Sequence, residues 1–205
     1  MIYDYIKKNY KEQDPILISE LPGKSRNYIR QEIKKLVDEG KLKRLFNGVY
    51  YLPFTTVFGT EGKISIEKYI EKRFLKRGNA TIGYITGLQL ANEYGFTTQN
   101  PAVYEICSNE ATTAQRKYVI DGYTIIVYKP IATISEENYK ELQFLDLMST
   151  IDKYSELKGQ EFLKKIKQYD KNVTLNFSVV KKYLPLCQSV VYKNIYDGGL
   201  MNELV

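Results

Sequence analysis

The stretch KSRNYIRQEIKKLVDEGKLKRLFNGVYYLP, Lys24 to Pro53, decides how the amino-terminal part of this chain folds. Leu21-Pro22-Gly23 before it spells a turn, and the Ser25 hydroxyl is placed to accept from a free first-turn N–H as an N-cap. Ile29, Ile33, Leu36 and Val37 then recur at helical spacing, which predicts a helix with one buried face. Lys24, Asn27, Arg30, Gln31 and Lys34 fall on the other face, with Arg26 near its edge, and Gly40 ends the helix. Beyond it Leu42 and Leu45 read as inward and Lys43 and Arg44 as edge residues, before Asn47-Gly48 and the run Val49-Tyr50-Tyr51-Leu52. Asn-Gly between two β-prone runs predicts a tight hairpin whose two central residues both take positive φ. A helix with a cationic polar face followed by a basic hairpin predicts a winged helix-turn-helix, with double-stranded DNA as its partner.

The residues before this stretch fit the same order. Ile2, Tyr5 and Ile6 make one side of a short amphipathic helix within residues 1–10, which Asp14-Pro15 ends. Ile16-Leu17-Ile18 is a brief β-prone run able to join the hairpin as a third strand, and Ser19-Glu20-Leu21 reads as a short second helix capped by Ser19. Residues 1–53 are therefore expected to form a winged helix-turn-helix domain, and the glycine- and threonine-rich residues 54–62 a linker.

Residues 63–205 are expected to form an α+β domain with a small antiparallel sheet at about 103–128 and helices across 136–204. Apolar periodicity predicts helices near 64–77 and 82–94, followed by β runs Val103–Cys107, Lys117–Ile120 and Tyr123–Tyr128. Asp121-Gly122 between the last two is again a hairpin turn. Glu136-Glu137 suit a helix start, and breaks at Gly159, Asn172, Pro185 and Gly198-Gly199 divide the helical remainder. Leu142, Leu145, Leu147, Met148, Phe162, Leu163 and Ile166 read as bundle core rather than a cofactor box.

Charge is unevenly spread along the 205 residues. The formal net charge is +6, and Lys24–Arg44 alone holds eight cations against three acids, as a phosphate-binding footprint requires. Arg30, Asn27 and Gln31 are candidates for base edges, since arginine suits guanine and carboxamides suit adenine. Lys24, Arg26, Lys34, Lys43 and Arg44 are candidates for phosphates, with Ser25 at the helix start and Asn47 at the hairpin tip beside them.

Other chemistries lack their residues. The chain has no histidine, which removes the commonest general base and zinc ligand and every Ser-His or Cys-His pair. Cys107 and Cys187 are far apart in sequence and read as buried free thiols. Glycines form no phosphate-cradling pattern. A metal-dependent nuclease needs an acid and a Glu-x-Lys on adjacent strands, but Glu32-Ile33-Lys34 and Glu156-Leu157-Lys158 fall on helices or turns, and Glu105 lacks the lysine. No catalytic residue, metal site or cofactor is expected, and the absence of a long apolar run or signal pattern points to a cytoplasmic protein with no membrane partner.

Lys41-Leu42-Lys43-Arg44-Leu45-Phe46-Asn47-Gly48-Val49-Tyr50 with Pro53 resembles the GxLxRLxxGVYxxP wing of AbiEi-type antitoxins, although Asn47 stands where that family frequently has a basic residue. Gly83-Tyr84-Ile85-Thr86-Gly87-Leu88 through Gly95-Phe96-Thr97-Thr98-Gln99-Asn100-Pro101 resembles its second signature, a helix ending in GLTTQxP, with Phe96 for leucine. The strands ending at Pro130 also fit, so the resemblance spans about residues 1–130. It implies a regulator from a type IV toxin–antitoxin, abortive-infection system that binds inverted repeats in its own promoter, as a possible homodimer, and counters a nucleotidyltransferase-like toxin. Thr86, Asn92, Thr97, Thr98 and Gln99 would then offer a partner surface. The same block also reads as purely structural, with Gly83 and Gly87 spaced for close helix packing. The alternative to an antitoxin is a stand-alone winged-helix repressor with a carboxy-terminal dimerisation or interaction domain.

Overall fold

The computed structural model describes residues 2–23 and 25–204, so Lys24 lies outside the described residues. The protein is α+β, and the chain forms two compact units, Met1–Lys72 and Arg73–Val205.

The first unit begins with α1 (Ile2–Asn9), which buries Ile2 and Ile6, and the two-residue strand β1 (Ile16–Leu17). Ile18–Glu20 is a single 3-10 turn, with Leu17 rather than Ser19 at its N-cap position. Helix α2 (Arg26–Asp38) starts where the serine predicts, as the Tyr28 N–H donates to Ser25 Oγ at 3.2 Å. Ser25→Ala is expected to cost about 1 kcal/mol, read as a lowered urea midpoint. The helix ends in paired backbone bonds, Gly40 N–H to Val37 O at 3.0 Å and Lys41 N–H to Leu36 O at 2.9 Å, with Gly40 at φ +68°. Ile29, Ile33 and Leu36 of α2 join Ile2, Ile6, Ile16, Leu21 and Leu42 in one apolar cluster. Burying each such side chain contributes about 1.5–3 kcal/mol, so the buried face rather than helix propensity holds α2 in place.

Strands β2 (Lys43–Phe46) and β3 (Val49–Tyr51) form the expected hairpin, and β1 pairs antiparallel with β3 to give the order β1-β3-β2. The turn differs from the expected one. Gly48 has φ +82° but Asn47 stays at negative φ, and the register shifts between Arg44 and Phe46. The extra residue of the irregularity is Leu45, within β2 rather than in the turn.

The expected linker at 54–62 is an ordered loop of this unit. Gly62 N–H donates to Phe54 O at 2.8 Å and Thr56 N–H to Thr60 O at 2.8 Å, while Val57 and Phe58 stand 96% and 89% exposed at its tip. The predicted helix at 64–77 is shorter: α3 (Ile66–Ile70) passes into a π-helical turn over Glu71–Leu75, and the break between units falls within that turn.

In the second unit β4 (Lys76–Arg77) pairs with β5 (Ala80–Thr81). The predicted helix at 82–94 is instead strand β6 (Gly83–Ile85) followed by α4 (Gly87–Glu93), with Thr86 at the N-cap position. Gly83 and Gly87 therefore do not pack helix on helix. A Cβ on Gly83 would strike the backbone carbonyls of Phe74 and Cys107, and one on Gly87 the Glu105 carboxylate.

Strands β7 (Val103–Ser108), β8 (Gln115–Ile120) and β9 (Tyr123–Tyr128) complete a sheet of order β6-β7-β9-β8. β6 and β8 pair antiparallel with β7 and β9, but β7 and β9 run parallel, so the sheet is mixed rather than antiparallel throughout. The loop at 109–114 lets the chain skip one position, and the hairpin returns β9 into the gap. Here Asp121 (φ +50°) and Gly122 (φ +84°) do both take positive φ.

Helices α5 (Tyr139–Tyr154), α6 (Gly159–Val173), α7 (Phe177–Tyr183) and α8 (Ser189–Asp197) follow. α5 begins later than expected because Glu136 is taken elsewhere, accepting from the Thr81 N–H at 2.8 Å. Leu142 joins a cluster with Tyr84, Cys107 and Ile134. Leu145, Leu147, Met148, Phe162 and Ile166 share the main core, where Phe144 stacks on Tyr169 at 5.9 Å, whereas Leu163 is only half-buried. No helix among the described residues is long and apolar enough to cross a membrane.

Candidate nucleic-acid interface

Helix α2 buries Ile29, Ile33 and Leu36 on one side and turns most of its cations to the other, with Val37 at the boundary. At 100° per residue Arg26, Arg30, Lys34, Asn27 and Gln31 occupy an arc of about 140°, and all five are exposed. Ser25 is exposed too, but its hydroxyl is committed to the cap. No carboxylate among the described residues lies within ion-pair distance of Arg26, Arg30 or Lys34. Of the acids, Glu32 lies outside the arc, Asp38 stands exposed within it at the last turn, and Glu39 just beyond the helix pairs with Lys41 at 2.7 Å and more distantly with Lys35 at 4.0 Å. The Lys41 contact holds the Glu39 carboxyl below its ordinary range.

The hairpin divides its two cations. Arg44 is exposed and has no acidic partner among the described residues, whereas Lys43 is half-buried and pairs with Glu61 of the ordered loop at 2.9 Å. That contact raises the Lys43 ammonium above the usual lysine range and neutralises its charge locally. Asn47 is exposed at the turn. Of the two hairpin cations expected from sequence, Lys43 is thus engaged rather than free, and Glu61, which composition alone did not single out, is the reason. Tyr28 is a second residue that sequence reasoning passed over: it is 42% exposed at the start of α2.

The residues of the second motif fall into two separate hydrogen-bond clusters. Thr86 is buried and donates to Asp146 Oδ2 at 2.7 Å. Thr97, also buried, donates to Glu156 Oε1 at 2.8 Å, and Thr98 donates to Glu156 Oε2 through its N–H at 3.2 Å and its hydroxyl at 3.1 Å. Asn92 donates to Thr97 O at 3.4 Å. These bonds, Thr97's hydroxyl foremost, keep the Glu156 carboxyl below its ordinary range. The threonine hydroxyls are therefore used inside the unit, and Thr98 and Gln99 are the exposed members.

Among the described residues no group of three or more histidine, cysteine or acidic side chains is arranged to hold a metal ion. No protein-family model matches the chain, and no curated protein matches it.

Proposed function

We propose that the first unit is a winged helix-turn-helix which binds double-stranded DNA, and that the protein is a transcriptional autoregulator and antitoxin of a type IV toxin–antitoxin system. The observation that carries the reading is the exposed arc of Arg26, Asn27, Arg30, Gln31 and Lys34 on α2, whose three cations form no ion pair with an acid among the described residues. In this reading α2 enters the major groove, Arg30, Asn27 and Gln31 meet base edges, and Arg26, Lys34 and Arg44 hold phosphates. The β2–β3 hairpin lies along the backbone as the wing, and two copies on an inverted repeat would present two such helices one helical turn apart.

The antitoxin half of the reading rests on the likeness of residues 41–53 and 83–101 to AbiEi-type motifs. It implies a nucleotidyltransferase-like toxin as partner. Co-expression with the adjacent reading frame tests it: rescue of growth from that gene's toxicity is expected. Absence of both rescue and co-purification would remove the antitoxin role and leave a stand-alone repressor, whose second unit serves dimerisation or another interaction.

A further inference from the structure

The second unit contains a cavity of about 450 Å³ that the DNA-binding reading does not use. Its volume lies within the roughly 300–1,000 Å³ of small-molecule sites. The sheet builds one wall. Tyr84, Cys107 and Tyr128 lie side by side across β6, β7 and β9, and Glu105, two residues before Cys107, shares their face. Helix α5 contributes Asp146 and Tyr154, and Leu186 and Val191 are among the apolar lining.

Two carboxylates line this space, and both are held by neutral donors. Glu105 accepts from the hydroxyls of Tyr128 at 3.0 Å and Tyr154 at 3.3 Å and from the Leu88 N–H at 3.2 Å. Asp146 accepts from Thr86 at 2.7 Å. No lysine or arginine among the described residues forms an ion pair with either. Lys129 and Lys153, the cations at the cavity, are solvent-exposed at its mouth. Burial pushes the Asp146 carboxyl up, and the charge of Glu105 adds to the effect. Burial also lifts the Cys107 thiol to about 12, so the sulfur beside the carboxylates is a neutral wall rather than a nucleophile.

Carboxylates fixed by hydroxyl and amide donors and paired with no cation, in a cavity walled by three tyrosine rings, suit an organic cation. The rim lysines disfavour a polycation. We propose that this cavity binds a small mono-cationic amine or guanidinium, its charged head between Glu105 and Asp146 and its body against Tyr84, Tyr128 and Tyr154.

The proposal stands apart from the DNA-binding reading and is tested without it. Purified full-length protein is titrated by calorimetry and thermal unfolding with tyramine, and in parallel with tyrosol, its neutral hydroxyl counterpart. Tyramine is expected to bind and raise the unfolding temperature, with tyrosol at least tenfold weaker. Asp146→Asn keeps an acceptor for Thr86, and Glu105→Gln keeps an acceptor for one tyrosine hydroxyl while its amide can donate to the other. Each is expected to weaken tyramine at least tenfold while far-ultraviolet circular dichroism stays unchanged. No binding of tyramine, equal binding of tyrosol, or wild-type affinity in both folded variants would overturn the assignment.

Discussion

Gly83→Ala is expected to destabilise the second unit by about 1–3 kcal/mol, the range for forcing an extra methyl into a packed site. The added Cβ would meet the backbone carbonyls of Phe74 and Cys107, and neither can swing aside as a side-chain tip would. The Phe74 carbonyl is itself fixed, since the buried Ser108 hydroxyl donates to it at 2.6 Å and Gly83 pairs with Ser108 across β6 and β7. The sign of the change is informative. Were residues 82–94 one continuous helix, the same substitution would stabilise by about 0.5–1 kcal/mol, because alanine loses less backbone entropy than glycine. Chemical denaturation followed by tyrosine fluorescence, available from 19 tyrosines and no tryptophan, separates the two outcomes.

Arg30→Ala is expected to weaken binding to the cognate DNA site by about 1–3 kcal/mol and to relax sequence preference, as loss of a base contact does. Arg44→Ala is expected to act differently, weakening all sequences alike and lowering the salt slope by about one. Lys43→Ala should fall well short of Arg44→Ala, because Glu61 already neutralises that ammonium at 2.9 Å. Fluorescence anisotropy on specific and scrambled duplexes reads all three. Identical behaviour of the Arg30 and Arg44 variants would refute the division between base and phosphate contacts.

Much of the first unit was legible because its signals are local. A serine cap, an apolar stripe at helical spacing and a glycine stop lie within sixteen residues of one another, and the structure keeps each in its place. The failures came where a longer-range contact overrode a local pattern. Gly83-Tyr84-Ile85 reads as helix by periodicity but pairs with β7, a partner more than twenty residues away in sequence. The parallel pairing of β7 and β9 left no trace in three consecutive β-prone runs, since the run order is the same whether the last strand adds at the edge or inserts. Asn47 carries the hairpin dipeptide yet avoids positive φ, where Asp121 does not; the bulge that decides it lies in the flanking strand. At the interface, residue type and spacing located the exposed arc of α2, but Lys43 lost its free charge to Glu61, in a loop whose order composition did not reveal.

The claim that the cations of α2 and its hairpin grip a duplex is tested most directly by a salt titration. Binding of the full-length protein to duplex from its own upstream region is measured by anisotropy between about 50 and 200 mM salt, where released counterions set a slope of about 0.9 per phosphate contacted. Contacts from Arg26, Lys34 and Arg44 predict a logarithmic slope of about −3 or steeper, flattened when those three are replaced together by alanine. Absence of binding, or a steep slope that survives the triple replacement, would contradict it.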